Sequence, residues 1–438
     1  MINKLIFSWL IGLIVLTPIP YGTVEPWWKA AFVCAVFVIC ILAIVDNLIN
    51  RAKTIAGRSV LLPMLALSLL AFVQTLSLSP RTEANLSVWN AISADPYQTR
   101  FFALQLLALT AFLALLYRYV NTERRVRILV FTILGVAVTS AIFGILRQTT
   151  QQEIGFIIPL LRPNQGFAQF INKNHFAYLM EMAFGLGVGL ALSGAIKRDQ
   201  LMFFVALLLP VWTALVLANS RGGILAMLAQ VVVAVLLLLS MRSLSQGYNF
   251  PKFAESAAMR AVLLAVLIGG ILLGTLWLGG DRLAANLEHA SSHFSDNATR
   301  AGASRNEIWR ASLKMFAAHP ILGVGLGGYW IGITAYHDAS GLMTPQEAHN
   351  DYLELLSSGG LIGFALGVWF AAMVIRLARR NLLVDTGYKR AVRLGAILGI
   401  TGVAAHSLVD FGLHITTNAV VFLSLIMMAT TNFESSEA

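Results

Sequence analysis

Apolar stretches, each long enough to cross a bilayer as a helix, recur along almost the whole of this 438-residue chain. A spanning helix needs about 20 predominantly apolar residues, because the hydrocarbon layer is roughly 30 Å thick and a helix rises only 1.5 Å per residue. The runs here have that length, unlike the ~10-residue alternating segments of a membrane β-barrel. Twelve spans are predicted, at 5–19, 27–48, 59–79, 101–119, 127–146, 175–195, 201–219, 222–240, 261–280, 353–375, 391–411 and 413–431. The expected fold class is therefore all-α: a polytopic membrane protein with one large extramembrane loop between helices 9 and 10. Composition agrees. Apolar residues make up 58% of the chain and charged residues only 12%, against about 25% charged in soluble proteins. So few charges could not cover the surface of a soluble domain this long, and disorder needs the opposite composition.

Lys and Arg number 31 against 21 Asp and Glu, a net charge of +10. In a soluble protein that excess would point to nucleic acid. Here it reads first as topology, since Lys and Arg collect in short cytoplasmic loops. With the N-terminus inside, nineteen of the 31 basic residues fall in short inner loops, and every inner loop is basic. Both termini are thus expected in the cytoplasm. The first 20 residues resemble a signal peptide, but no small-x-small cleavage site follows them, and a retained first helix is expected. Cys34 and Cys40 share one predicted span, about 9 Å apart along a helix on different faces. That spacing excludes a disulfide between them, and two cysteines cannot make a Cys-based metal site.

Three outer segments are long: 80–100, 147–174 and 281–352. The third is the only part large enough for a small extramembrane domain. In it Ala303–Ala318 reads as an amphipathic helix, with Trp309, Leu313 and Phe316 at i, i+4, i+7 on one face, a pattern suited to the membrane surface. The loop carries Arg282, Arg300, Arg305, Arg310 and Lys314 but also seven acidic residues, so it is not a basic patch overall.

All eight histidines map to the outer half, which puts any acid–base chemistry there. Gly323-Val-Gly325-Leu-Gly327-Gly328 matches G-x-G-x-x-G literally, but dinucleotide binding requires a preceding strand in a βαβ unit, and this string sits in a loop. No P-loop and no H-E-x-x-H occurs. Ser220-Arg221-Gly222-Gly223 joins spans seven and eight. Arg221 is either a snorkelling arginine or an anion-binding one at a cavity mouth. Arg305 and Trp309, at i, i+4, either lie on a solvated face or present a guanidinium fork to phosphate. His319-Pro320 reads as the end of the amphipathic helix, with His319 structural. His349-Asn350 opens the helix that re-enters the membrane. Asn350 suits a helix cap, and His349 is well placed for acid–base work beside a lipid-borne substrate. His406, Asp410 and His414 stand at i, i+4, i+8, on one face if the helix continues through them. A structural His–Asp bond is favoured there over a metal site, because three ligands do not complete a defined geometry. Glu181, inside span six, is an intramembrane carboxylate expected to be functional or to pair with an arginine.

These strings together resemble the O-antigen ligase and polymerase superfamily of bacterial envelope glycosyltransferases. The resemblance rests on Gly166-Phe167 through Asn172-Lys173-Asn174-His175, Ser220-Arg221-Gly222-Gly223, Arg305-Asn306-Glu307-Ile308-Trp309 and His319-Pro320-Ile321-Leu322-Gly323-Val324-Gly325. It rests most on His349-Asn350-Asp351-Tyr352-Leu353 followed by Gly359-Gly360-Leu361-Ile362-Gly363. It covers about residues 150–415. It implies three regions: helices 1–5 in 1–150, a catalytic region 151–415 that includes the periplasmic loop 281–352, and the last helix with a cytoplasmic tail in 416–438. It implies residence in the inner membrane and a periplasmic active site. The donor would be a glycan on undecaprenyl diphosphate. The acceptor would be a sugar hydroxyl on lipid A–core (ligase) or on another lipid-linked glycan (polymerase). Membrane lipids surround the chain, and no nucleic acid, metal or cofactor is implied. His349 would help deprotonate the acceptor. Arg221, Arg305 and Arg300 would hold the diphosphate, with Asn350, Asn174 and Trp309 supporting. A multi-span transporter is the alternative from another class, but no similarity between halves is visible, as such folds often show.

Overall fold

The computed structural model describes residues 2–50, 56–77, 91–150, 166–244, 305–337 and 344–432. Among them the chain is all-helical, with no strand beyond the isolated bridges Ser77–Ala91 and Phe167–Phe170. The helices are α1 Ile2–Leu16, α2 Pro26–Asn50, α3 Arg58–Gln74, α4 Pro96–Tyr119, α5 Glu123–Thr150, α6 Lys173–Leu192, α7 Arg198–Leu217, α8 Arg221–Leu244, α9 Arg305–Ala318, α10 Asp351–Val384, α11 Gly387–His406 and α12 Thr416–Thr430. Helices stand at each predicted span but the ninth, 261–280, which lies outside the described residues. Six of them, α2, α4, α5, α6, α7 and α10, are long and apolar enough to cross a membrane. Local chemistry sets several starts. The Asp95 carboxylate accepts from Gln98 N at 3.0 Å with Pro96 behind it, and the Asn172 side chain accepts from Asn174 N at 2.9 Å. Both satisfy N–H groups that a helix start leaves unpaired.

The chain divides into two compact units. One comprises 1–129, 298–379 and 407–438; the other comprises 130–297 and 380–406. In the first, α4 packs against α2, α3 and α12, and α1 against α2. Tyr117 of α4 shares a 2.6 Å hydrogen bond with Thr430 of α12. In the second, α6 and α11 lie together, with α8 against both. The α6–α11 approach is made by small residues. Gly185 and Gly189 of α6 face Gly399 and Gly395 of α11, and an added Cβ at Gly189 would collide with the Gly395 backbone. In lipid, where apolar surface gains nothing by meeting apolar surface, such close backbone approach is what holds helices together.

One expectation is corrected by the course of the chain, and a second face of α9 comes to light. α11 ends at His406 and the chain turns through Ser407–Val409 before the 3₁₀ turn Gly412–His414. His406, Asp410 and His414 therefore do not share a helix face. In α9 the packed face is Ile308, Ala311, Ser312 and Met315, one position away from the expected stripe. Leu313 is 51% exposed, with Trp309 and Phe316 only partly covered. The pull comes from Val324, Tyr329, Ile333 and Ala348, which form one cluster with Ile308, Ala311 and Met315. The Ser312 hydroxyl completes it with a 2.7 Å bond to the Tyr329 hydroxyl.

α10 is interrupted at Gly360, whose φ of 62° and ψ of −166° are not helical. A break inside an apolar helix strips backbone groups of their partners, and these must be satisfied within the protein. The loop after α9 does this. Leu361 N donates to Pro320 O at 2.8 Å and Ile362 N to Ile321 O at 3.2 Å. Val324 N and Gly325 N donate to the carbonyls of Ser357 and Ser358 at 3.2 and 3.0 Å. Gln74, at the end of α3, closes the gap. Its amide donates to Leu322 O and Ser358 O, and its carbonyl accepts from Leu326 N at 3.0 Å. The glycines of the string Gly323–Gly328 thus serve close backbone packing: a Cβ at Gly325 would collide with Ser93, and one at Gly323 with Ser358. The string patches a broken helix.

Candidate functional site

His349 lies at the junction between the segment 344–350 and α10. Its φ of +50° is left-handed, a conformation that costs a residue with a Cβ about 1–3 kcal/mol and persists only where the surroundings enforce it. The neighbours supply that enforcement. The Trp309 indole N–H donates to Ala348 O at 3.0 Å, and Ala348 N donates to the Glu354 carboxylate at 2.8 Å. The residue before His349 is thereby held from both sides. The Asn350 side-chain oxygen accepts from Tyr352 N and Leu353 N at 3.1 and 3.0 Å, the helix cap expected from its position.

The turn is also fastened to the segment between α11 and α12. Asp351 N donates to Ser407 O at 3.0 Å, and the Ser407 hydroxyl donates to Asp351 Oδ2 at 2.6 Å. The His414 Nε2 lies 3.7 Å from Asp351 and 3.5 Å from Glu354. Between these ties, His349 Nδ1 stands 3.2 Å from Asp410 Oδ1. Asp410 is buried, its side chain 1% exposed, whereas the His349 side chain is 35% exposed. Asp410 Oδ1 also accepts from Phe411 N at 3.0 Å, and the Phe411 ring meets the imidazole edge-on with centroids 4.9 Å apart. A carboxylate beside Nδ1 places the ring proton there and leaves the lone pair on Nε2. The arrangement is a partly exposed imidazole beside a buried carboxylate. Glu347 stands near by, and burial pushes its carboxyl above the usual range.

The expected residues fall into two groups. His349, Asn350 and Trp309 come together in the first unit, and Arg305, the exposed first residue of α9, belongs to that unit as well. Arg221 and Asn174 belong to the second unit. Arg221 is exposed as the first residue of α8, whose start is capped by the Ser220 hydroxyl accepting from Gly223 N at 3.2 Å. Asn174 stands in the first turn of α6. The tight turn before it has a left-handed Gly166 and is tied to α5 by the bonds Arg147–Ala168 O at 2.8 Å and Gln169–Ser140 at 2.8 Å. Arg300 lies outside the described residues, as do His289 and His293. His319 bonds the Tyr336 hydroxyl at 3.1 Å.

The role of Asp410 as partner of His349 escaped the sequence reading, which had grouped it with His406 and His414 by spacing. Those three side chains go to different partners: His349 for Asp410, Asp351 and Glu354 for His414, and Glu181 for His406. Glu181 pairs with a histidine. Among the described residues no three His, Cys, Asp or Glu side chains are grouped to hold a metal ion.

Residues 203–368 match the family described as O-antigen ligase. The match includes Ser220–Gly223, Arg305–Trp309, His319–Gly325, His349–Leu353 and Gly359–Gly363, and stops short of the Gly166–His175 string. Comparison with curated proteins finds no match.

Proposed function

We propose that this chain, whose residues 203–368 match the O-antigen ligase family, is a membrane glycosyltransferase that moves a glycan from undecaprenyl diphosphate to a sugar hydroxyl of lipid A–core. The reaction needs no nucleotide, because the diphosphate is already an activated leaving group. His349 Nε2 takes the proton of the acceptor hydroxyl. The oxygen attacks the anomeric carbon from the face opposite the diphosphate, the anomeric C–O bond breaks, and undecaprenyl diphosphate leaves with the electron pair. In-line displacement inverts the anomeric centre. Asp410 holds the imidazole in the required tautomer and stabilises the imidazolium that forms, as a carboxylate does in a Ser-His-Asp triad.

The observation that carries this reading is the pair His349–Asp410: an accessible ring, fixed in a left-handed turn and oriented by a buried carboxylate. A second observation supports the leaving-group side. Arg221 opens α8, where the helix dipole disfavours a cation by roughly 0.3–1 kcal/mol and attracts an anion. Its position there suits a guanidinium that meets the donor diphosphate. Arg305, with Arg300, would share that charge as it builds on bond breaking.

The test is transfer by the purified protein in liposomes, with a labelled undecaprenyl diphosphate-linked glycan offered lipid A–core. The expected result is a labelled lipid A–core product of inverted anomeric configuration together with released undecaprenyl diphosphate. Chain extension on a second lipid-linked glycan instead would identify a polymerase. A labelled solute transported with no covalent product would overturn the enzymatic reading.

A further inference from the structure

The reaction above leaves one buried cluster of the second unit without a part to play. His406, the last residue of α11, points its Nδ1 at Glu181 Oε2 of α6, 2.8 Å away. Both side chains are buried, at 1% and 0% exposure. One face of the His406 ring stacks on Tyr178 of α6, centroids 4.0 Å apart and planes within 16°. The Cδ2–Nε2 edge abuts Gly222 of α8, so closely that a Cβ there would collide with both atoms. His406 Nε2 is buried with no hydrogen-bond partner among the described residues, and a buried nitrogen without a partner is costly to keep. A second tie runs two turns along α8, where the Gln230 amide donates to Glu181 O at 2.8 Å and crowds Gly402 of α11.

Gly222 is the residue after Arg221. The first turn of α8 can sit where it does only because residue 222 has no side chain, and the ring that fills the space is itself held by Glu181 and Tyr178. Small displacements of a group that meets a reacting substrate are expensive, since such groups must be held within about 0.5 Å. We propose that Glu181 and His406 are positioning residues that set the first turn of α8 and hence the place of the Arg221 guanidinium. The proposal rests on the reading of Arg221 as a ligand of the donor diphosphate.

Removing both polar partners together leaves no charge stranded in the interior, a change that buried pairs tolerate. Steady-state transfer would therefore be measured with the undecaprenyl diphosphate-linked glycan as varied donor. The proteins are wild type, Arg221→Ala, the double variant Glu181→Leu with His406→Leu, and the triple variant that combines all three changes. The double variant is expected to raise donor KM about tenfold with kcat within about threefold, and Arg221→Ala is expected to cost less in that background than in wild type, as coupled sites do. Wild-type donor KM in the double variant, with Arg221→Ala still impaired, would overturn the positioning role and leave the reading of Arg221 intact. An Arg221→Ala protein with unchanged donor KM would instead overturn that underlying reading. Should the double variant fail to fold, Gly222→Ala presses on the same ring with both polar partners in place. It is expected to raise donor KM, and an unchanged donor KM would overturn the proposal.

Discussion

The molecule contains two histidine–carboxylate pairs made of nearly the same parts and set to opposite uses. His349–Asp410 stands on turns, 3.2 Å long, with the ring 35% exposed and its backbone in a left-handed conformation. His406–Glu181 stands on helices, 2.8 Å long, with the ring sealed between Tyr178 and Gly222. In each the carboxylate is buried, so burial of the acid does not separate them. What differs is access to the ring. In one pair the histidine side chain is 35% exposed; in the other the far nitrogen is closed off by a glycine backbone. The same hydrogen bond orients a partly exposed ring in the first pair and joins two helices in the second. Backbone strain accompanies only the open one.

If the closed pair is structural, breaking it should be felt first in stability. Glu181→Ala leaves His406 buried beside a cavity with its partner gone, and should cost about 3–5 kcal/mol, read from thermal or denaturant unfolding in detergent. A loss as small as that of a surface substitution would erase the distinction. The matching change in the open pair, Asp410→Asn, can turn an amide N–H toward Nδ1 and force the proton onto Nε2. It should lower kcat by up to about 10⁴-fold, by analogy with the orienting acid of a catalytic triad, while the unfolding midpoint moves little. A large loss of stability with normal turnover would reverse the two assignments.

Smaller changes test what holds the open pair in place. Trp309→Phe keeps the ring but removes the donor to Ala348 O, and should cost about 1 kcal/mol with a modest fall in kcat and no change in donor KM. His319 supplies the smallest effect. It bonds the Tyr336 hydroxyl, and burial holds its imidazole below its ordinary range. The folded protein therefore prefers the neutral ring. Its contribution is complete above the unfolded value of about 6.5 and is lost as pH falls from there through the depressed folded value. The acid-side fall in unfolding midpoint should be shallower in His319→Phe than in wild type, and an identical slope would assign the fall to other groups.

The helices were legible because their signal is local. Length and apolar content marked α2, α4, α5, α6, α7 and α10 without reference to any partner, and Asn350 announced the start of α10 by its type and place. His349 was legible as a candidate through its position at that start. Its partner was not, because the sequence reading carried helical spacing from His406 through Asp410 to His414. The end of α11 at His406 redistributes all three side chains. Nothing local tells Asp410 to meet a residue 61 positions away. The partner of Glu181 was missed for the same reason, since His406 is 225 positions distant. The face of α9 that packs on the protein, one position from the Trp309–Phe316 stripe, was not read, because it was chosen by Val324, Tyr329 and Ile333 rather than by the helix itself. One long-range signal was present and passed over. Gly185 with Gly189 and Gly395 with Gly399 both have the four-residue spacing of small residues that lets two membrane helices approach closely.

The central claim is that His349 is the base that deprotonates the acceptor. Its most direct test is the single-turnover rate of glycan transfer by purified His349→Ala, with saturating undecaprenyl diphosphate-linked donor and lipid A–core. The account predicts a rate lower by about 10²–10⁴, the usual worth of a positioned general base, in a protein that unfolds at nearly the wild-type midpoint. Transfer at close to the wild-type rate by a folded His349→Ala protein would contradict it.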